Sequence, residues 1–299
     1  MIFNIGLKLK INNSQKILFI TYGDKDFDIS KKHLLNLAKK SEIFSQCISY
    51  SYRDLSSSFK KKYSKILSEK RGGGFWIWKH HIIKESLDLI NENDLIVYCD
   101  AGTSFNYHAK SRFMEYVEIL NSSIHSNFRI ESEPHHLEKE WTTKELFNYF
   151  KINSDSKIGN STQYEGGHMI FKSNKETRDY LNEYEEILRY DQKLITDFYN
   201  NKDQQDFFIE NRHDQSIFSI LSKTYGCEKI QNETKFHNRK EDQYKYPFLS
   251  VRKKGLKTSL GALGKAYGIE HDYSKLHDAL VDLELNLKVW NKIKQQIDF

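Results

Sequence analysis

The stretch that most constrains the fold is residues 71–106, in which a glycine turn, a helical pattern and an apolar run follow one another. Its three glycines, Gly72–Gly74, allow positive φ or a close approach of the backbone to a ligand. Apolar residues at helical spacing over 82–90 predict an amphipathic helix, and the apolar run Leu95–Cys99 predicts a buried strand. That strand ends at Asp100, and an acid at the carboxyl end of a central strand lies where open α/β sheets bind ligands.

The surrounding segments alternate between strand and helix patterns. Residues 16–22 and 44–52 predict strands, whereas residues 30–41 and 55–67 predict helices. This alternation predicts an α/β fold with a largely parallel sheet flanked by helices. Farther along, we predict helices over 109–121, 141–150 and 175–199, a strand over Met169–Phe171, and a helix after Asp214. The rest of the polar region 122–162 is predicted to be irregular, which is typical of a lid or an acceptor-binding segment.

Length and composition set broad limits. At 299 residues the chain is long enough for one large domain, or for one domain and an appendage. Aromatic residues make up 14% of it, which supplies large apolar surfaces for a core and excludes a disordered class. The net charge of +5 is a mild excess that suits an anionic small ligand or a membrane surface as well as a nucleic acid.

Cysteine content and hydropathy indicate the compartment. Cys47, Cys99 and Cys227 are far apart and show no CxxC spacing, so neither a disulfide framework nor a structural zinc site is predicted. A reducing, cytoplasmic setting is therefore expected. No apolar run approaches the ~20 residues that span a bilayer, and the N-terminus shows no signal-peptide pattern. Peripheral contact with the inner membrane face is compatible with these features.

Several candidate residues have both a functional and a structural interpretation. Trp78 and Lys79 are typical either of an aromatic surface that stacks on a base or sugar beside a diphosphate-binding lysine, or of core packing beside a solvated lysine. Glu165, ahead of two glycines and a strand, is either a carboxylate for an acceptor hydroxyl or an exposed turn residue. Asp214 either caps the following helix or acts as a general base. The pair His135–His136, with glutamates nearby, lacks the spacing of a metal motif and indicates a solvated loop.

Together these pieces resemble a known family. The glycine turn, the WxWK of residues 76–79, the helix and the strand that ends in Tyr-x-Asp-Ala-Gly at 98–102 are similar to nucleotide-sugar glycosyltransferases of the GT-A type. The resemblance is to a group found in capsule and O-antigen gene sets, and it covers about residues 15–252. It implies a GT-A-like, Rossmann-related fold. It also implies sugar transfer from a nucleotide-diphosphate donor to a saccharide or lipid-linked saccharide acceptor in surface polysaccharide synthesis.

The resemblance also implies roles for particular residues. In GT-A enzymes the acid at the strand end belongs to a DXD motif, which holds a divalent cation, Mn²⁺ or Mg²⁺, against the donor diphosphate. Asp100 matches its first acid, Gly102 stands in place of the second, and His237 is the other candidate metal ligand. Asp214 and Glu165 are the implied catalytic residues, with Asp214 as general base or as stabiliser of an oxocarbenium-like sugar. The implied donor-binding residues are Thr21, Tyr22, Gly23, Arg71, Gly73, Gly74, Trp78, Lys79, Asp100, Ala101 and Gly102.

The tail resembles a different family. Residues 259–294 are similar to the C-terminal segment of DEDD-type 3′–5′ exonucleases, in which a His-x-x-x-x-Asp pair, here His277 and Asp282, supplies a general base and a metal ligand. Such nucleases also need an early strand that ends in Asp-x-Glu, and the sequence has none. We therefore predict a catalytic domain over 1–252 and a helical appendage over 253–299, with nucleic acid not an expected partner. The alternatives are a nuclease-related or nucleic-acid-binding protein, and a non-catalytic carbohydrate-binding protein.

Overall fold

The computed structural model describes residues 15–235, 244–250, 269–270, 272 and 284–291. Packing divides the chain into two units, Met1–Val251 and Arg252–Phe299. In the second unit, the described residues 284–291 are helical. His237, His277 and Asp282 lie outside the described residues, so the roles predicted for them stay predictions.

The first unit is built on eight short strands within its described residues. They are β1 (Ile17–Tyr22), β2 (Gln46–Tyr50), β3 (Leu95–Cys99), β4 (Ser104–Phe105), β5 (Asn127–Ile130), β6 (His168–Lys172), β7 (Glu228–Ile230) and β8 (Phe248–Leu249). The strands predicted over 16–22, 44–52 and 169–171 correspond to β1, β2 and β6, and the predicted bounds of β3 match the structure.

Six of these strands form one sheet in the order β2-β1-β3-β6-β5-β7. β1 pairs in parallel with β2 and β3, β5 pairs in parallel with β7, and β6 runs antiparallel to both β3 and β5. Five strands therefore point one way and one points the other, which confirms the predicted α/β class with a mostly parallel sheet. β4 and β8 form a separate antiparallel pair.

Helices lie between most of the strands. They are α1 (Asp28–Lys40), α2 (Ser57–Lys62), α3 (Ser64–Leu67), α4 (Trp78–Ser86), α5 (Lys110–Ser122), α6 (Glu138–Trp141), α7 (Lys144–Tyr149), α8 (Lys175–Tyr190) and α9 (Asp214–Tyr225). Short 3₁₀ turns span Lys25–Phe27, Tyr52–Asp54, Leu87–Leu89, Tyr107–Ala109, Gln192–Ile195 and Phe198–Asn201. None of the helices that the structure describes is both long enough and apolar enough to cross a membrane.

The central strands β1 and β3 are buried on both faces, which explains their continuous apolar runs. Successive side chains point to opposite faces of a strand. Ile20 and Tyr98 accordingly join a core with side chains of α4, α8 and α9, whereas Phe19 and Val97 join a core with side chains of α1 and α5. The first of these faces carries the candidate site, because α4 and α9 bring polar side chains to the end of β3.

Two predictions of local structure were wrong. Residues 122–162 were predicted to be irregular apart from one helix, yet β5 lies within them and all four of its residues are buried. No apolar run marks β5, because it includes Asn127 and the fully buried Arg129. The helix predicted over 175–199 ends at Tyr190. There Asp191 leaves the helical backbone with φ of −155°, and its side chain caps the following turn by accepting from the Lys193 N–H.

Candidate active site

The chain enters the site through a left-handed turn over residues 72–76. All five residues have positive φ, from 53° at Phe75 to 94° at Gly74. Left-handed backbone costs a residue with a side chain roughly 1–2 kcal/mol, so a run of three glycines lowers the cost of the turn. A Cβ on Gly74 would also lie 2.8 Å from the Leu67 Cα. The predicted positive φ is therefore confirmed, and the turn itself accounts for glycine at positions 73 and 74.

Trp78, the first residue of α4, is packed in the core. Its ring stacks on Tyr22 at a centroid distance of 3.7 Å, and its Nε1–H donates to the Gly72 carbonyl over 3.0 Å. The side chains of Tyr22 and Trp78 are both buried, and only 4% of Trp78 is exposed. This burial favours the packing interpretation, because almost no ring surface is left to stack on a base or sugar.

Lys79 is also turned inward, contrary to a solvated position. Its Nζ lies 2.9 Å from the Gly166 carbonyl, 2.6 Å from Asp214 Oδ2 and 3.2 Å from Asp100 Oδ1, and the side chain is 2% exposed. Burial acts to lower the pKa of Lys79, but the two carboxylates outweigh it and raise the pKa, so the ammonium stays charged. A backbone carbonyl and two carboxylates thus surround the ammonium, and almost none of the side chain is exposed. Direct contact with a diphosphate is therefore not the role that its contacts support.

Asp100 is the partly exposed carboxylate of the cluster that it forms with Lys79 and Asp214. Its backbone N–H donates to the Gly167 carbonyl over 2.9 Å, which fixes the end of β3 against the segment before β6. Its Oδ1 accepts from the Tyr98 hydroxyl and faces Lys79. The side chain is 36% exposed, so its second oxygen, Oδ2, is available to a ligand.

Asp214 is the buried carboxylate of this cluster. It is the first residue of α9, and its side chain is only 5% exposed. Burial raises the pKa of Asp214 to about 6, although the Lys79 charge acts in the opposite direction. A carboxylate with a pKa near 6 is suited to accept a proton close to neutral pH. The helix N-cap is His213 rather than Asp214, so the capping interpretation does not account for this side chain.

The segment before β6 packs closely against both carboxylates. A Cβ on Gly166 would lie 3.3 Å from Asp214 Oδ2, and a Cβ on Gly167 would lie 3.3 Å from Asp100 Oδ2. Neither glycine has positive φ. Glycine at these two positions is therefore explained by its close packing against Asp214 and Asp100, and not by backbone conformation.

Glu165 has a partner on each of its carboxylate oxygens. Its Oε1 lies 2.7 Å from His168 Nδ1, its Oε2 accepts from the Thr234 hydroxyl over 2.9 Å, and the side chain is 8% exposed. It is thus neither the exposed turn residue nor a free base. Both oxygens already have partners, so its contacts support a role in anchoring the glycine segment.

The loops after β1 and β3 meet beside Asp100. A Cβ on Gly23 would lie 2.6 Å from the Phe27 Cβ and 3.4 Å from the Ala101 Cβ, and Gly102 lies against the Phe27 ring. Thr21 at the end of β1 is fully buried, and within the described part of the chain its hydroxyl has no hydrogen-bond partner. Thr21, Gly23, Ala101 and Gly102 therefore lie at one edge of the sheet, and their role in donor binding stays a prediction.

Arg71 belongs to a separate network of charged side chains that reaches His213, the residue before Asp214. Its guanidinium pairs with Asp197 over 3.0 Å and with Glu210 over 3.5 Å. Asp197 also accepts from His213 Nε2 over 2.9 Å, and the His213 ring stacks on Phe75 of the left-handed turn. His213 itself has an unusual backbone, with φ of 57° and ψ of −119°. The network therefore links the turn to the residue that precedes Asp214.

The resemblance implies a divalent cation, and the side chains at the end of β3 fit one in part. Gly102 removes the second carboxylate of the motif, and His237 lies outside the described residues. Asp100 Oδ2 is open, with Lys79 on its other oxygen and no Cβ at Gly167 to block it. Mg²⁺ is often held by one or two carboxylates together with substrate phosphates and waters. The described residues therefore fit a cation held by Asp100 and by the ligand, and not a two-carboxylate site.

Three residues of the site were missed by sequence reasoning. Tyr98 donates to Asp100, and Gln215 accepts from the Gly166 N–H over 3.1 Å. Gln215 in turn donates to Gln163 over 2.6 Å. Tyr98 and Gln215 each stand next to or two positions from a predicted acid, and that proximity was the available signal.

Comparisons with known proteins gave distant structural likenesses only. No protein-family model matches the chain, and no curated protein matches it. Among solved structures, a glycosyltransferase involved in glycosylation of the major capsid of PBCV-1 matches with a TM-score of 0.47 and 10% identity, over 78% of this chain and 91% of that one. Mouse xyloside xylosyltransferase 1 matches with 0.41 and 11%, over 73% and 84%. The galactosyltransferase LgtC, with donor and acceptor sugar analogues, matches with 0.37 and 12%, over 76% and 82%.

These three neighbours are glycosyltransferases, the class that the motifs resemble. All three TM-scores lie below 0.5, so these likenesses do not indicate the chemistry of this chain, which is inferred from its own side chains.

Proposed function

We propose that the chain is a glycosyltransferase that moves a sugar from a nucleotide-diphosphate donor to a saccharide acceptor. The observation that carries the proposal is the buried Lys79, which holds Asp100 and Asp214 together at the carboxyl edge of the sheet. One carboxylate is open and the other is buried with a raised pKa, which is a pattern typical of acid–base sites. The backbone of Gly166 and Gly167, which has no Cβ, packs closely against both carboxylates and holds them at this edge.

The donor is proposed to lie along the loops after β1 and β3. Thr21, Gly23, Ala101 and Gly102 meet there, at the edge where open α/β sheets bind nucleotides. Small residues in these loops permit close approach of a diphosphate to the backbone. Arg71 has two carboxylate partners, and Trp78 is packed against Tyr22, so we leave these out of the proposed donor contacts.

The proposed cofactor is Mn²⁺ or Mg²⁺, with Asp100 as its protein ligand. When bound, such a cation neutralises charge on a departing diphosphate. Lys79 makes no contact with the diphosphate in this proposal. It fixes the orientation of Asp100 and keeps Asp214 ionised beside it.

Asp214 is proposed to act as the general base. It accepts the proton of the acceptor hydroxyl, whose oxygen forms a bond to the anomeric carbon of the donor sugar. The bond from that carbon to the diphosphate oxygen breaks, and the diphosphate leaves with the electron pair. A pKa of about 6 places Asp214 mostly in the proton-accepting form above pH 7.

The acceptor is proposed to be a saccharide, free or lipid-linked, in the synthesis of a surface polysaccharide. A lipid-linked acceptor would bring the enzyme into peripheral contact with a membrane. The region 132–163 borders the glycine segment through the hydrogen bond of Gln163 to Gln215, and it is the proposed acceptor side. This part of the proposal rests on the sequence resemblance and on the position of that region.

The test is calorimetric titration with UDP, GDP, ADP and TDP and with sugar donors of each, with and without Mn²⁺. We expect one nucleotide to bind with Mn²⁺ and its sugar donor to be hydrolysed slowly. Asp100→Asn should lose the Mn²⁺-dependent part of binding. The matched control is Asp203→Asn, since Asp203 is an exposed aspartate paired only with Lys144 among the described contacts.

Two results would count against the proposal. Failure of every nucleotide to bind under both conditions would remove the donor site. Equal donor affinity of wild type and Asp100→Asn, with and without Mn²⁺, would remove the cation from Asp100. Degradation of single-stranded DNA or RNA by the full chain, lost in His277→Ala, would favour the nuclease alternative instead.

A further inference from the structure

A short loop after β5 brings three potential metal ligands together. Its base is fixed by isolated bridges from Glu131 to Tyr164 and from Leu137 to Thr162. Between them, the Ser132 N–H donates to the Gln163 carbonyl over 2.8 Å. The loop residues 132–136 therefore project from a narrow, hydrogen-bonded base.

Glu133, His135 and His136 of this loop each direct one ligand atom toward the others, all within 4.8 Å. The Oε2 of Glu133 lies 3.4 Å from His135 Nε2. Zinc binds imidazole nitrogen and carboxylate oxygen at about 2.0–2.2 Å, which puts two ligand atoms of a tetrahedral site roughly 3.3–3.5 Å apart. The distance from Glu133 Oε2 to His135 Nε2 already matches such a site. The ligand atom of His136, which lies within 4.8 Å of the other two, would move closer to them on binding.

The outer contacts of the loop favour metal binding over a solvated pair. Glu133 Oε1 accepts from Lys235 over 2.8 Å, which leaves Oε2 toward the histidines. His136 Nδ1 contacts the Ser132 hydroxyl over 3.1 Å, which leaves Nε2 for a ligand. Hydrogen bonds of this kind from the outer side fix the orientation of metal-binding side chains.

We propose that Glu133, His135 and His136 form a site for a divalent transition metal, with Zn²⁺ the best fit and water in the fourth position. This site is separate from Asp100 and goes beyond the proposed sugar transfer. Its consequence is structural. The Gln163 N–H donates to the His136 carbonyl over 2.9 Å, and Gln163 is joined through Gln215 to Gly166. A bound metal would stiffen the loop at the start of that chain of contacts.

The test is titration of untagged, EDTA-treated protein with ZnCl₂, and with CoCl₂ to read the visible absorption of a tetrahedral centre. We expect one Zn²⁺ per chain at this loop and a tetrahedral cobalt spectrum. His135→Ala and His136→Ala should each weaken binding by on the order of 10²-fold, since each removes one of three ligands. The matched control His108→Ala removes an exposed histidine elsewhere and should change nothing.

The outcomes separate clearly. Zinc binding of equal strength in wild type, His135→Ala and His136→Ala would overturn the proposal, as would an octahedral cobalt spectrum or no binding at millimolar Zn²⁺. The exposed position of His135 makes loss of folding an unsuitable explanation for its variant. Nucleotide binding in the same samples tests the proposed sugar transfer separately, because Asp100 is not part of this loop.

Discussion

Replacing Lys79 by methionine tests the core of the site. Methionine keeps most of the buried volume but removes the ammonium that lies 2.6 Å from Asp214 and 3.2 Å from Asp100. Breaking a buried ion pair by removing one partner costs about 3–5 kcal/mol, because the other charge is left uncompensated. Against a typical free energy of unfolding of about 5–15 kcal/mol, Lys79→Met should be a large loss that still permits folding.

The loss should depend on pH in a defined direction. Asp214 has a pKa of about 6 with Lys79 present, above its ordinary value, and loss of the ammonium raises that pKa further. A carboxyl whose pKa is raised on folding favours the folded state while it is protonated, and this contribution is lost as the pH rises through the folded pKa. The destabilisation by Lys79→Met should therefore be smaller at pH 5 than at pH 8.

The assay is urea unfolding followed by tryptophan fluorescence at both pH values. The matched control is Lys84→Met on the same helix, because Lys84 is 30% exposed and pairs with Glu185 over 2.9 Å. Partly exposed pairs contribute about 0–1 kcal/mol, so this variant should unfold nearly as wild type does. In Lys79→Met combined with Asp214→Asn, part of the loss should be recovered, since the uncompensated charge is gone. Equal unfolding free energies for Lys79→Met and Lys84→Met would refute the reasoning.

Three further variants test other parts of the site. Asp214→Asn should lower kcat by on the order of 10²-fold or more with donor affinity unchanged, and wild-type turnover should fall as the pH drops below about 6, where Asp214 becomes protonated; a change in stability alone would contradict the general-base role. Gly167→Ala places a Cβ 3.3 Å from Asp100 Oδ2, so circular dichroism should show a folded chain while calorimetry shows weakened donor binding in Mn²⁺. His213→Gly relieves the positive φ but removes a buried ring that stacks on Phe75 and contacts Asp197, so both stability and kcat should fall; unchanged kcat would mean that the ring does not position Asp214.

The sheet was predictable because its centre is marked by composition alone. β1 and β3 are buried on both faces, and a strand of that kind reads as an unbroken apolar run. β5 was not predicted because its burial depends on partners that are distant in the sequence. Arg129 is fully buried in β5 and donates to the Glu165 carbonyl over 3.0 Å. The residues next to Arg129 in the sequence give no indication of this contact. Local sequence thus predicts strands that bury apolar side chains, and it misses strands that bury charge.

The candidate site, like the sheet, was predictable only where local sequence determines a residue's position. Asp100 was found because its position depends only on the strand that precedes it. The inward turn of Lys79 depends instead on the left-handed turn before α4, and on Gly166 and Asp214, which lie far along the chain. A lysine after two tryptophans is equally typical of a solvated and of a phosphate-binding side chain, whereas the structure buries Lys79 between two carboxylates. The partners of Glu165 were unpredictable for the same reason, since His168 and Thr234 lie beside its two oxygens. A residue's type indicates the chemistry available to it, but its folded partners decide whether that chemistry is free for a substrate.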